Sequence, residues 1–188
     1  MQIHGYSARM LYAFGFERIG VVVSDLYFLD PNPSVGQEGA ERGVRLEVRM
    51  LDRAALKGSV YSAQPIGVDR PIWRADLLES VAGPPGTFDR THHHPAFNGW
   101  EPGRRHYVPA LSADPLGWVG ARLSDLPALL SEANVDPSEV SADDGAALRQ
   151  AVPEILDAVR RLLDRVYTGE LAQPPAAEAL DSARAGWL

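Results

Sequence analysis

The sequence contains no cysteine among its 188 residues. This absence excludes disulfide bonds, iron–sulfur clusters, thiolate zinc sites and cysteine nucleophiles, so any metal ion must be bound by His, Asp or Glu. A chain of this length with 45% hydrophobic residues can build a hydrophobic core of its own. The composition therefore predicts a globular protein and excludes a disordered chain or a coiled coil.

Lysine is nearly absent as well, since Lys57 is the single lysine beside 17 arginines, which we interpret as the codon usage of a GC-rich genome. The formal net charge of -7 at pH 7 repels polyanions overall, although a local basic surface is compatible with it. No apolar run approaches the roughly 20 residues that a membrane-spanning helix needs, and a signal-peptide pattern is missing. We therefore expect a cytoplasmic protein with no membrane partner.

The first part of the chain favours strands. Ile19–Leu29 is rich in β-branched and aromatic residues and ends at a pair of prolines, and Val44–Met50 alternates apolar and charged residues. We predict a third strand over Ile72–Val81 and a fourth over Arg104–Leu111. Residues 30–43 form a loop that is long for a hairpin, which indicates mobility, a function or both.

The second part of the chain favours helices. Asp114 followed by proline predicts one helix start, and Ser124–Ala133 predicts a second short helix. Ser141 and Asp144 resemble a capping box before a longer helix with one apolar stripe, which ends at Thr168–Gly169. Proline at position 153 should kink or restart that helix.

Strands followed by helices predict an α+β fold, in which an antiparallel sheet of about four strands is followed by C-terminal helices that pack on one face. We predict a single domain over residues 1–170 and a loosely held Ala- and Pro-rich tail over residues 171–188. The chain shows no βαβ alternation, glycine-rich phosphate loop or nucleophile-elbow motif, which removes the commonest nucleotide-binding and hydrolase templates. Function must therefore be argued from individual side chains.

Three consecutive histidines, His92, His93 and His94, form the densest group of titratable side chains. In an extended segment the first and third lie on one side and the second on the other. Such a pair can bind a divalent metal ion such as Zn, Mn or Ni through imidazole nitrogens, provided that further ligands come from elsewhere. The metal ligands predicted on this basis are His92, His94, His106 and Asp89.

The same histidines also suit chemistry without a metal. Histidine titrates near neutral pH, so two imidazoles beside a carboxylate can act as general base and general acid while arginines stabilise a developing anion. The catalytic residues predicted on this basis are His92, His93, His94, Asp76, Arg74 and Arg104. A ribonuclease-like hydrolase that acts on RNA or on a small phosphate-bearing substrate has this equipment. A third interpretation is that the histidines only organise a proline-flanked loop.

The layout of PIWRADLLES, DRTHHHPAFNGWEPGRRHY and DPLGWVGARLSDLPALL resembles the TumE-like toxin family of bacterial toxin–antitoxin systems. The resemblance covers roughly residues 19–133, and here a long turn separates Arg74 and Asp76 from the histidines. It implies an RNA-acting toxin with His93, His94 and Pro95 on its motif.

Two classes of function remain open at this point. The first is a small metal-assisted or histidine-based hydrolase with its site around His92–His94. The second is a non-catalytic module that binds a protein partner or self-assembles into a homo-oligomer. The long 30–43 loop, the amphipathic last helix and the Trp-bearing tail would provide its contacts.

Overall fold

The computed structural model describes residues 10–55, 58 and 64–174. Its main sheet has five antiparallel strands in chain order, each paired with the next: β1 (Leu11–Gly15), β2 (Ile19–Leu29), β3 (Ala40–Arg53), β4 (Ile66–Ser80) and β5 (His92–His94). A two-stranded hairpin of β6 (Phe97–Asn98) and β7 (Glu101–Pro102) follows. Together with the helices that come after these strands, this sheet confirms the predicted α+β fold.

Four α-helices follow within the described residues: α1 (Pro109–Ala113), α2 (Pro115–Leu123), α3 (Leu126–Glu132) and α4 (Asp144–Tyr167), with a 3-10 turn at Pro137–Glu139 before α4. Asp114 caps α2 by accepting a hydrogen bond from the Gly117 N–H at 3.0 Å, and Asp125 caps α3 by accepting from the Ala128 N–H at 3.1 Å. These caps satisfy N–H groups that have no partner within the helix. No helix in the described ranges is long and apolar enough to cross a bilayer.

The longest helix begins at a buried carboxylate. Asp144 accepts a hydrogen bond from the Ser141 N–H at 2.8 Å and another from the Glu17 N–H at 2.9 Å. The start of α4 is therefore tied to the turn between β1 and β2. The helix continues without a break through Pro153, so the predicted restart there is wrong.

The hydrophobic core lies between the helices and one face of the sheet. Alternate residues of β2, β3 and β4 point to this face because side chains alternate along a strand. The fully buried members include Val21, Val23, Val44, Leu46, Val48, Trp73, Ala75 and Leu77 from the sheet and Leu148, Ile155, Val159 and Leu162 from α4. The intervening residues, among them Arg45, Glu47 and Asp76, point to the other face. The open face of the sheet therefore carries the charged residues Arg45, Glu47 and Asp76.

The structure differs from the predicted strands at two places. The first strand, β1, was not predicted. The strand predicted over residues 104–111 is wrong, because within it His106 forms one bridge with His93 and Pro109 then begins α1. Proline has no N–H for a strand ladder but fits the first turn of a helix, which explains the early change.

Two further segments connect the elements. The loop after β2 is held by the Arg90 guanidinium, which donates to the carbonyl oxygens of Gly36 at 2.6 Å and Glu38 at 3.3 Å. At the other end of the chain, Ala172 is buried and its N–H donates to the Asp25 carboxylate at 2.9 Å. Most of the predicted tail, residues 175–188, lies outside the described residues.

Candidate metal centre

The register of the last two strands of the main sheet builds the site. Asp76 pairs with His92 and Arg74 pairs with His94 across β4 and β5. Since directly opposed residues point to the same face, both histidines lie on the open face together with Asp76. His93 points to the core, as the alternation predicted.

Three ligand-type atoms converge at this point. The Nε2 atom of His92 lies 3.4 Å from the Oδ2 atom of Asp76, and the Nε2 atom of His94 lies 3.7 Å from the same oxygen. All three side chains offer ligand atoms within 4.8 Å of one another, and all three are buried. Atoms that bind a zinc ion at about 2.1 Å in a tetrahedral arrangement lie about 3.4 Å apart. The distances from the Asp76 oxygen to the two Nε2 atoms, 3.4 and 3.7 Å, are close to this spacing.

Backbone carbonyls fix the orientation of both imidazoles. The Nδ1 atom of His92 lies 2.8 Å from the Arg90 carbonyl oxygen, and the Nδ1 atom of His94 lies 2.7 Å from the Gly103 carbonyl oxygen. A carbonyl oxygen can only accept, so each Nδ1 carries the hydrogen and each Nε2 of a neutral ring presents a lone pair. The Nε2 atom of His92 is buried with no hydrogen-bond partner among the described residues. This arrangement is typical of metal-binding histidines.

The carboxylate of the site is ionised. Arg45 donates to both oxygens of Asp76, from Nε at 2.7 Å and from the terminal nitrogen at 3.1 Å. Burial raises the pKa of Asp76, but the charge of Arg45, together with the adjacent imidazoles of His92 and His94, outweighs burial and holds that pKa well below its usual range. When both rings are neutral with the hydrogen on Nδ1, the two Nε2 atoms and the carboxylate are acceptors that face one another, and a cation between them relieves their repulsion.

A cavity of about 320 Å³ opens onto this group; besides the three ligand-type residues it is lined by Phe28, Arg45, Arg74, Leu78, Pro102 and Arg105. Arg74 is engaged by Glu47, at 2.8 Å from its Nε and 2.6 Å from its terminal nitrogen. The cavity wall therefore combines apolar side chains with three arginines and one carboxylate.

The β6–β7 hairpin forms one side of the site. The Arg74 guanidinium lies over the Phe97 ring at 5.0 Å, and the Arg49 guanidinium lies over the Trp100 ring at 5.1 Å. Gly103, whose carbonyl orients His94, is itself held by a hydrogen bond from its N–H to the Ala96 carbonyl oxygen at 2.9 Å. The hairpin therefore positions one of the two imidazoles.

His93, which the sequence includes in the catalytic set, lies away from the cavity. Its ring centroid is 5.0 Å from that of Trp118 and 6.1 Å from that of Trp73, both on the core side of the sheet. Burial, followed by the nearby charges of His106 and Arg122, lowers the pKa of His93 from 6.5 to about 4. The ring is consequently neutral at physiological pH and packs as part of the core.

Three other predicted site residues are not brought into the group. Asp89 accepts hydrogen bonds from the Ser80 N–H at 2.9 Å and from the Thr87 hydroxyl at 3.1 Å, which organises the turn before β5. His106 is exposed and its ring lies 5.5 Å from that of His93. Arg104 is exposed and lines a separate cavity.

Sequence reasoning missed Arg45, Arg105 and the two orienting carbonyls. Arg45 lies directly opposite Asp76 in the β3–β4 register, so the alternation of β3 would have identified it once that register was known. Backbone carbonyls of Arg90 and Gly103 carry no side-chain signal that a sequence could show.

Comparisons with protein-family models, with characterised proteins and with solved structures found no significant match to this chain.

Proposed function

We propose that this protein is a metal-dependent hydrolase whose metal ligands are Asp76, His92 and His94. The observation that carries the proposal is the convergence of two imidazole Nε2 atoms and one ionised carboxylate at the base of a cavity. Two hydrogen bonds to backbone carbonyls fix the orientation of these imidazoles. Three protein ligands with an open cavity beside them are the arrangement of catalytic rather than structural metal sites, which are closed by four.

Each residue has a distinct part in this proposal. A bound divalent cation supplies Lewis acidity and lowers the pKa of a water ligand towards neutrality. His92 and His94 provide neutral donors whose rings cannot turn away, and Asp76 supplies the compensating negative charge. Arg45 keeps that carboxylate ionised and directs it towards the imidazoles. Two nitrogen ligands and one oxygen ligand suit zinc, with manganese and nickel as the alternatives.

The test is the metal content of the purified, tagless protein and of its variants. We expect about one equivalent of a divalent metal in the unaltered protein and its loss in both His92→Ala and His94→Ala. His106→Ala is the matched control, because it removes an exposed histidine that lies outside the group, and it should keep the metal. Equal metal content in all four proteins would overturn the proposal.

A second candidate function is metal-free cleavage of RNA by acid–base catalysis, the activity that the TumE-like resemblance implies. The geometry supports it, since the ionised Asp76 carboxylate lies 3.4 and 3.7 Å from the Nε2 atoms of the two imidazoles, and acid–base catalysis needs such groups close together. RNA cleavage that survives chelator treatment but is lost in His92→Ala and His94→Ala would select this function. Absence of both metal and cleavage would contradict both functions and leave the non-catalytic module.

A further inference from the structure

Arg105 lines two neighbouring cavities. It lines the cavity above Asp76, His92 and His94, and it also lines a neighbouring cavity of about 290 Å³ with Asp30, Ser34, Gln37, Arg104 and Tyr107. Its guanidinium therefore stands in the wall between the two cavities, within reach of a group that enters the site.

The three arginines of the metal cavity differ in how tightly they are held. Arg45 is bound to both oxygens of Asp76 at 2.7 and 3.1 Å, and Arg74 is bound to Glu47 at 2.8 and 2.6 Å. Arg105 makes only long contacts to carboxylates, at 3.5 Å to Glu41 and 3.5 Å to Asp30, with the Tyr107 hydroxyl as a further partner. Arg105 can turn to a ligand without breaking a short ion pair.

The lining of the cavity suits an anion. Three guanidinium groups and one carboxylate line it, whereas the carboxylates that contact Arg74 and Arg105 are outside the lining. Guanidinium groups bind phosphate oxygens through two parallel N–H donors, which makes phosphate the best-matched oxyanion. A neutral ester or a peptide offers the Arg105 guanidinium no charged oxygen in place of its long carboxylate contacts.

Burial of the ligand residues limits which part of a substrate reaches them. The side chains of His92, His94 and Asp76 are 1%, 7% and 2% exposed. A group at the end of a molecule can descend to such atoms, whereas a phosphate inside a chain carries substituents on both sides. Burial thus favours a terminal phosphate over an internal phosphodiester.

We infer that Arg105 binds the terminal phosphate of a phosphate monoester next to the metal ligands. The hydrolytic part of this inference rests on the proposed function. In the reaction a bond forms between phosphorus and a water oxygen, and the bond between phosphorus and the ester oxygen breaks. One water proton passes to the departing alkoxide, so the products are an alcohol and inorganic phosphate.

The first experiment measures binding of inorganic phosphate by titration calorimetry to the protein after incubation with zinc. We expect Arg105→Gln to weaken the phosphate Kd at least about tenfold, the size of one lost charge-assisted hydrogen bond. Arg105→Lys should lose less, because it keeps the charge but not the fork. Arg160→Gln removes one arginine charge from the exposed side of α4 and should leave the Kd unchanged. Equal Kd values for all four proteins, or no phosphate binding by the unaltered one, would overturn the inference.

The second experiment compares hydrolysis of p-nitrophenyl phosphate with that of bis(p-nitrophenyl) phosphate. We expect the monoester to be preferred and its KM to rise in Arg105→Gln; a preference for the diester would contradict the inference. Metal content measured on the same samples separates the two proposals. Phosphate binding that depends on Arg105 without bound metal would refute the metal-dependent hydrolase alone, and bound metal with an Arg105-independent Kd would refute this inference alone.

Discussion

His93 and its two neighbours on β5 are the same residue type in consecutive positions, yet the structure gives them opposite environments. His93 lies on the core face beside the stacked rings of Trp73 and Trp118, with a pKa lowered to about 4 and a buried Nδ1 that has no hydrogen-bond partner among the described residues. His92 and His94 lie on the open face, and each Nδ1 contacts a carbonyl. The contrast shows that the face of the strand, rather than the residue type, decides which histidine can bind a ligand.

The same contrast extends over the whole sheet. On the core face the strands present Val, Leu and Trp to the helices, and on the open face they present paired charges such as Arg45 with Asp76 and Arg74 with Glu47. Burying a charge costs free energy unless the charge is paired. These charged residues can therefore be buried as a network on the open face because each arginine has a carboxylate within reach. The network holds Asp76 ionised at the place where the two imidazoles meet.

The strongest test of the contrast is metal affinity. We expect His92→Ala and His94→Ala to lower zinc affinity by at least about 100-fold, because each removes one of three ligands, a larger loss than that of an orienting partner. His93→Gln should change zinc affinity by less than about threefold. Competition with a colorimetric zinc chelator measures all three. A His93→Gln variant that loses zinc as strongly as the others would contradict the assignment of the two faces.

A second test reverses the order of effects by measuring stability without metal. His93→Ala should lower the free energy of unfolding by about 2–3 kcal/mol, because it opens a cavity beside the stacked rings of Trp73 and Trp118. His94→Ala, on the open face, should lower it by less, about 1 kcal/mol, because it removes a buried ring with one hydrogen bond to a carbonyl but also one of the acceptors that face Asp76. Urea unfolding in the presence of a chelator gives both values, and the opposite ranking would refute the core role of His93.

The pH dependence of stability provides a third test. The folded protein protonates His93 only near pH 4, whereas the unfolded chain protonates it near 6.5. The neutral ring therefore contributes stability that is fully present above pH 6.5 and is lost as the pH falls towards 4. We expect metal-free His93→Phe to lose less stability than the unaltered protein across this range.

This comparison isolates His93 from other titrating groups. Burial raises the pKa of Glu41, so that carboxyl affects stability in the opposite direction as the pH rises through its titration range, but it does so equally in both proteins. Parallel pH profiles in urea unfolding for the two proteins would show that His93 is not buried in its neutral form.

The smallest expected effect concerns the exposed hairpin. Trp100 is 60% exposed and contacts the Arg49 guanidinium. Trp100→Ala should lower the free energy of unfolding by about 0.5–1 kcal/mol, the usual value of an exposed cation–π contact. Zinc affinity should stay within about twofold, since Gly103 is held by the hydrogen bond from its N–H to the Ala96 carbonyl rather than by Trp100. A large loss of zinc affinity would show that the hairpin supports the site more than its contacts indicate.

Much of the fold was predictable because it depends on local patterns. The strand predicted over Ile19–Leu29 has the bounds of β2, and the alternation over Val44–Met50 correctly separated the two faces of β3. The helix start at Asp114 rests on a capping group that lies within a few residues. The predicted capping box of Ser141 and Asp144 is met only by the hydrogen bond from the Ser141 N–H to Asp144, because α4 begins at Asp144 and its N-cap residue, Asp143, has no side-chain cap. The fourth strand failed because one proline, Pro109, favours a helix start over the pattern before it.

The site was only partly predictable because it depends on register. The sequence predicts that His92 and His94 share a face and includes Asp76 among the catalytic residues, but it assigns Asp89 as a metal ligand because Asp89 is close in the chain. The conformation of the turn between β4 and β5 decides which carboxylate lies opposite the histidines. The number of residues in this turn does not by itself predict that Asp76 pairs with His92. Spacing along the chain could not supply that long-range contact.

The central claim is that Asp76, His92 and His94 bind one divalent metal ion. Crystals grown with zinc and measured on both sides of the zinc absorption edge locate the ion by its anomalous signal. We predict one peak about 2.0–2.2 Å from the Nε2 atoms of both histidines and from a carboxylate oxygen of Asp76. No peak between these residues at saturating zinc, or a peak at His106 and Asp89 instead, would contradict the account.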